Sequence, residues 1–245
     1  MAKRKKGKQY APQPSKYLEL FSDELKKEIA GIEGKPIISS LSKEQSEVFR
    51  KEYDIRTTSV CWGFPMDEIL YAKFFTSFLR QVMMPWDSIV TTESTYLPDA
   101  RNVIHDRYLE QASDPFLMML DSDVLAPPGM VPKLIAHEKH IVGGWYRKKS
   151  RENAHPVVYD FSREAEDGIF FEARQEPGTG LEKVDGMGAG CWLMSRELAE
   201  ALGKSPYSMD KATEDLVLCK KIMDLDYEMW VDWDLACAHV GVTWV

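Results

Sequence analysis

The chain lacks any segment that would carry it into a membrane. Its longest apolar runs, such as Phe116–Leu120, fall far short of the ~20 residues that a spanning helix needs. Nothing apolar follows the opening Met-Ala-Lys-Arg-Lys-Lys, so no secretory signal is expected and a cytoplasmic location is. Cysteine is scarce: Cys61, Cys191, Cys219 and Cys237 are scattered with no C-x-x-C pair, which fits reduced thiols and gives no disulfide framework. There is no G-x-x-x-x-G-K-[ST] loop and no internal repeat. Positive charge is also in deficit, with 31 Lys and Arg against 39 Asp and Glu and a net charge of −8. Lys3, Arg4, Lys5, Lys6 and Lys8 take up part of the positive charge, leaving the rest more acidic still. An acidic globule with a short basic arm is not built as a dedicated DNA-binding domain. Residues 1–16 read as a flexible, solubilising lead-in, though such an arm has the charge to touch nucleic acid or an anionic membrane.

What remains is ample for a core. The 245 residues are 44% hydrophobic, and one α/β domain can reach roughly this length. Residues 17–56 are mostly polar, with a helix start at Ser22-Asp23-Glu24, and are expected to wrap the main domain as a peripheral extension. From Thr57 strands and helices alternate. A β-rich run over 57–62 leads into Gly63-Phe64-Pro65 as a turn. Residues 66–83 then show helical spacing at Ile69, Leu70, Phe74, Phe78 and Val82. A strand over 88–92 precedes a helix opened by Pro98 and carrying Val103, Ile104, Tyr108 and Leu109. Phe116–Leu120 is continuously apolar, the mark of a strand buried on both faces, and it ends in Asp121-Ser122-Asp123. Pro127-Pro128 opens a further helix through Leu134 and Ile135, and Ile141-Val142 begins another strand. Three β-α units in succession predict a parallel sheet with helices on both faces, binding its ligand at the carboxyl ends of the strands. Residues 150–185 are less regular, with strand-like pieces at 157–161 and 169–173, and predict an antiparallel excursion or loop region.

Several constellations could carry chemistry. Two carboxylates one residue apart, Asp121 and Asp123, at the end of a buried strand can reach one hard cation, Mg²⁺ or Mn²⁺, and the diphosphate bound to it. Taken alone the pattern also suits an ordinary turn. Thr213-Glu214-Asp215 heads a helical pattern, so it is either plain N-capping or the seat of a general base that would stay ionised at neutral pH. His239 follows the strand-like 229–232 and would serve as a nitrogen ligand, although a lone histidine is commonly structural. Gly186-Met187-Gly188-Ala189-Gly190 precedes an apolar strand, where glycines permit close approach of backbone to ligand; the context is wrong for a dinucleotide fingerprint. Arg101 could meet a phosphate or a ribose, or be a solvated helix charge. The stretch from Arg147 through Lys148, Lys149 and Ser150 to Arg151 is a phosphate clamp, a contact for a polyanion, or a solvated loop.

In order, Phe-Leu-Met-Met-Leu-Asp-Ser-Asp (116–123), Pro-Pro-Gly-Met-Val-Pro-Lys-Leu (127–134), Ile-Val-Gly-Gly-Trp-Tyr-Arg-Lys-Lys (141–149), Gly-Ala-Gly-Cys-Trp-Leu-Met (188–194), Thr-Glu-Asp (213–215) and Ala-His-Val-Gly (238–241) resemble the GT-A glycosyltransferases, nearest to compact bacterial and bacteriophage members. The resemblance spans about 57–245 and implies a Rossmann-like, mostly parallel α/β sheet in one domain over 17–245. It implies a nucleotide-sugar donor, a UDP-sugar being favoured, and a hydroxyl acceptor. By this resemblance Asp123, Asp121 and His239 hold Mn²⁺ or Mg²⁺, and Asp215 is the base with Glu214 beside it. The donor would lie against Trp62, Gly63, Phe64, Glu93, Arg101, Asp121, Ser122, Gly188, Ala189 and Gly190. The first-strand segment departs from the commonest Pro-containing form, and the acceptor region has no counterpart. Candidate acceptors are a hydroxymethylated pyrimidine in bacteriophage DNA (which would place the protein in the host cytoplasm), or a polysaccharide, lipid-linked sugar or protein. A metal-dependent nucleotidyltransferase and a non-catalytic nucleotide-sugar-binding module are the competing classes, and neither a stereochemical outcome nor an oligomeric state is legible.

Overall fold

From Cys61 onward the chain lays down β1 (Cys61–Pro65), α1 (Ala72–Phe78), β2 (Ser88–Thr92), α2 (Leu97–Gln111) and β3 (Phe116–Leu120). It continues through β4 (Val124–Leu125), α3 (Met130–Ala136), β5 (Ile141–Trp145), β6 (Val158–Ala165), β7 (Gly168–Ala173), β8 (Leu181–Val184) and β9 (Gly186–Met187). The last elements are β10 (Cys191–Ser195), α4 (Arg196–Leu202), α5 (Glu214–Asp224), β11 (Met229–Ala236) and β12 (Ala238–His239). This is a computed structural model that describes residues 58–66, 71–81, 83–92, 96–150 and 154–240, all inside the unit Ile55–Val245. The expectations for the arm 1–16, the extension 17–56, Ile69, Leu70, Val82, Glu93, Arg151 and Gly241 lie outside the described residues.

The main sheet has the order β2-β1-β3-β10-β5-β11-β8. β1 is parallel to β2 and β3, and β5 to β11, whereas β10 runs antiparallel to both β3 and β5, and β8 antiparallel to β11. Five strands thus share one direction, as the β-α alternation predicts, and the one inserted against it in the middle is the strand after the glycine run. The antiparallel excursion takes the form of the hairpin β6–β7, joined by β9 in a three-stranded sheet of order β7-β6-β9.

Period-two alternation along the central strands divides two cores. Leu117 and Met119 of β3, Ile141 of β5, and Trp192 and Met194 of β10 pack with Ile104 and Tyr108 of α2, Leu198 of α4 and Leu218 of α5. Met118 and Leu120, Val142, and Cys191 and Leu193 face the other way, toward Phe74 of α1 and Met130 and Leu134 of α3. This is why the β3 sequence is apolar at every position.

Two local expectations are corrected. Gly63-Phe64-Pro65 is the second half of β1 and not a turn: every residue of the strand is buried, and α2 crosses so closely that a Cβ on Gly63 would lie 2.5 Å from Ile104 Cγ2. The helix expected from Pro127-Pro128 begins only at Met130, because residues 127–129 are spent in the turn that leaves β4. Among the described residues no helix is long and apolar enough to cross a membrane, and all four cysteines are free and buried.

Candidate functional site

The parallel strands β1, β3 and β5 end on one edge, and the chain after β3 turns there at once. Val124 N–H donates to Asp121 C=O at 3.0 Å, closing a turn over 121–124 that sends the two carboxylates to different partners. Asp121 faces α2, where Arg101 Nη2 donates to its Oδ1 and Oδ2 at 2.9 and 2.8 Å. Arg101 is only 2% exposed, and its Nη1 donates to Glu214 Oε1 at the start of α5. Burial works against the guanidinium charge, and Asp121 and Glu214 outweigh it, holding its pKa above the ordinary value. Burial likewise pushes Glu214 above the usual carboxylate range, against the pull of Arg101. One buried cation therefore ties the β3 turn, α2 and α5 together.

Asp123 faces the other way. Antiparallel pairing of β12 with β4 sets His239 opposite Val124, which brings its ring to Asp123. His239 Nδ1–H donates to Arg147 C=O at 2.9 Å, so Nε2 is the nitrogen turned to Asp123 Oδ1, 3.4 Å away. Lys149 Nζ donates to Asp123 Oδ2. Burial opposes ionisation of Asp123, and His239 and Lys149 overcome it, holding its pKa at about 2.

Tyr146 joins these two halves. Its ring meets His239 edge-on, centroids 5.0 Å apart, and its buried hydroxyl accepts Gly190 N–H at 3.0 Å. A Cβ on Gly190 would lie 2.7 Å from both Asp121 Oδ2 and Tyr146 Oη, and one on Gly188 would lie 2.4 Å from that hydroxyl. The glycines therefore admit the protein's own Tyr146 and Asp121 against the backbone, and Gly188, Ala189 and Gly190 are all buried behind them.

Asp215 is half-buried in the first turn of α5. Its Oδ1 accepts Leu216 N–H at 2.8 Å and the Thr213 hydroxyl, which consequently does not cap the helix backbone. Its Oδ2 accepts no hydrogen bond among the described residues. Asp215 follows directly on Glu214, whose carboxylate is held by Arg101.

The structure thus brings Arg101, Asp121, Asp123, Gly188, Ala189, Gly190, Glu214, Asp215 and His239 to one edge, with Ser122 in the turn between the two aspartates. Five residues sit otherwise than expected. Asp121 is engaged by Arg101, and among the described residues no group of three or more His, Cys, Asp or Glu is arranged to hold a metal ion. Glu214 is 8% exposed and turned inward to Arg101. Trp62 is fully buried within β1, its Nε1 donating to Asp87 Oδ2 at 3.1 Å. Phe64 packs among Phe74 and Phe78 in the core. Arg101 is neither a solvated charge nor exposed to a donor. Sequence reasoning missed Tyr146 as a separate element and Lys149 as a partner of Asp123; their place directly after β5, on the edge where the other parallel strands end, was the available signal.

The donor set fits a hard divalent ion taking two protein ligands. Asp123 would supply oxygen and His239 nitrogen, and the Arg147 carbonyl fixes the imidazole tautomer as outer-shell partners do. Phosphate and water ordinarily complete the shell of Mg²⁺ and related ions.

No protein-family model matches the chain, and no curated protein matches it by sequence. Solved structures do. A197 from STIV superposes with a TM-score of 0.55 at 16% identity, covering 75% of this chain and 86% of that one. GalNAc-T7, crystallised with UDP, GalNAc and Mn²⁺, superposes with a TM-score of 0.51 at 11% identity, covering 74% of this chain and 43% of that one. At these identities the likeness shows the fold, which is the expected α/β GT-A arrangement.

Proposed function

We propose that the protein is a glycosyltransferase that moves a sugar from a nucleotide-sugar, a UDP-sugar being favoured, to a hydroxyl acceptor, using Mn²⁺ or Mg²⁺ held by Asp123 and His239. One observation carries this reading. At the carboxyl end of β3, His239 Nε2 faces Asp123 while Arg101 joins Asp121 to Glu214, the residue directly before Asp215 at the start of α5. The GT-A fold supports it, since GalNAc-T7 carries UDP and Mn²⁺ on such a fold.

A divalent ion bound there would neutralise charge gathering on the departing diphosphate. The chain's own contribution is positional and acid–base. Asp215 sits at the positive end of α5 with Oδ1 anchored by Leu216 N–H, leaving Oδ2 to take the acceptor proton. As the acceptor oxygen bonds to the anomeric carbon, the bond from that carbon to the phosphate oxygen breaks and the electron pair leaves with the nucleoside diphosphate. A base on the side opposite the leaving group gives inversion. Arg101 and Glu214 hold Asp121 and α5 in register and take no proton.

The DNA acceptor draws its support from basic residues that are mostly outside the described region or already engaged. Arg147 Nη1 donates to Ala154 C=O at 2.7 Å, and Lys149 is on Asp123. Hydroxymethylated DNA therefore enters an acceptor panel on equal terms with saccharide, lipid-linked and protein hydroxyls, and a steep loss of activity with salt would mark the DNA case.

The first test is thermal stabilisation by a panel of nucleotide-sugars with and without Mn²⁺. A Mn²⁺-dependent shift with one donor, absent in Asp123→Ala, is expected. No shift with any donor on folded protein would overturn the reading in favour of a non-catalytic module or an unusual donor.

A further inference from the structure

Resting on that reading of the site, we propose that Lys149 serves two anions in turn: Asp123 when no divalent ion is present, and the β-phosphate of the nucleoside diphosphate once the ion has taken Asp123. Lys149 donates to Oδ2 while His239 faces Oδ1 of the same carboxylate. A divalent ion claiming Asp123 must compete with the ammonium for that group. Both side chains are partly open to solvent, 35% for Lys149 and 25% for Asp123. A pair of that exposure yields at a cost of only about fivefold in the equilibrium.

The displaced ammonium cannot drift far. Val157 N–H donates to Tyr146 C=O at 2.9 Å and Lys148 N–H to His155 C=O at 3.0 Å, so the backbone beside Lys149 stays tied at the site while its side chain is free to turn. The other cations of the cluster have standing partners. Arg101 is committed to Asp121 and Glu214, and Arg147 donates to Ala154 C=O with Glu176 3.9 Å away. Lys149 is the cation whose partner the incoming ion would replace, and a diphosphate brings more negative charge than one divalent ion cancels.

The proposal predicts opposite effects on two ligands. Mn²⁺ binding by electron paramagnetic resonance, and UDP binding by calorimetry in saturating Mn²⁺, are measured on wild type, Lys149→Ala and Lys149→Met, with Asp123→Ala as control. Lys149→Met keeps the aliphatic stem, so a folding defect in the alanine variant leaves the test intact. Both variants should bind Mn²⁺ alone about fivefold more tightly and UDP in Mn²⁺ about tenfold more weakly. Unchanged or weaker Mn²⁺ binding, or undiminished UDP binding, overturns the double role while the metal site itself stands. Absence of Mn²⁺ binding in wild type overturns both the site reading and this one.

Discussion

Arg101 meets Asp121 through a single guanidinium nitrogen, Nη2, which donates to both carboxylate oxygens at 2.9 and 2.8 Å while Nη1 serves Glu214. Removing the cation leaves the largely buried Glu214 and the partly buried Asp121 carboxylates without their shared partner. Arg101→Met should therefore destabilise the fold by about 3–5 kcal/mol in urea unfolding. A loss below about 1 kcal/mol would mean that solvent reaches the pair and that the cluster does not depend on this residue.

Asp215→Asn retains an oxygen for Leu216 N–H and changes little else around α5. Stability and UDP affinity should hold, and transfer should fall by roughly 10²- to 10⁴-fold. Single-turnover assays with the donor identified by thermal stabilisation would measure this. Retained transfer would move the base to another group.

Tyr146→Phe deletes the acceptor for Gly190 N–H inside a buried segment. The cost should be about 1–3 kcal/mol, because the amide is left without a partner. Gly190→Ala meets both Asp121 Oδ2 and Tyr146 Oη, so it should be destabilised and should also weaken Mn²⁺ binding through the ring that backs His239. A Gly190→Ala protein with wild-type melting temperature and Mn²⁺ affinity would contradict the packing described.

His105 offers a pH test away from the site. It is fully buried, with Nε2 between the carbonyls of Ala199 and Gly203 at 3.2 and 3.0 Å, and burial depresses its pKa below the ordinary 6.5. The unfolded chain therefore binds the proton more readily than the folded one. The resulting stability is present above pH 6.5 and is lost as pH falls toward the depressed folded value. Unfolding free energies from pH 8 to pH 5 should drop less steeply in His105→Gln than in wild type, and parallel curves would refute the assignment.

The alternation of strands and helices from Cys61 to Ile141 was legible because β1, β3 and β5 are apolar along most of their length and the helices between them carry their own spacing. The edge of the sheet that holds the site followed from the abrupt change from Leu120 to Asp121. What sequence periodicity could not convey was which side chains close on which. Asp121 and Asp123 lie one residue apart and looked like a single ligand pair, yet the turn over 121–124 parts them. The glycines before β10 signalled close approach correctly, but the approaching groups are Tyr146 and Asp121, contributed from 44 and 69 residues upstream of Gly190. Arg101 and Glu214 are 113 residues apart, a distance that no local pattern spans.

The antiparallel placement of β10 between β3 and β5 has a consequence for the order in which the molecule can be assembled during synthesis. β1, β2 and β3 have one another as neighbours as soon as Leu120 has left the ribosome. β5 does not, for its partners are β10 and β11, so after Trp145 the nascent chain carries an apolar strand with nothing beside it until Cys191 to Ser195 emerge. The segment that follows the glycines of the site is thus also the seam that joins the two halves of the sheet. A chain interrupted before it would hold most of the hydrophobic sequence and no continuous core.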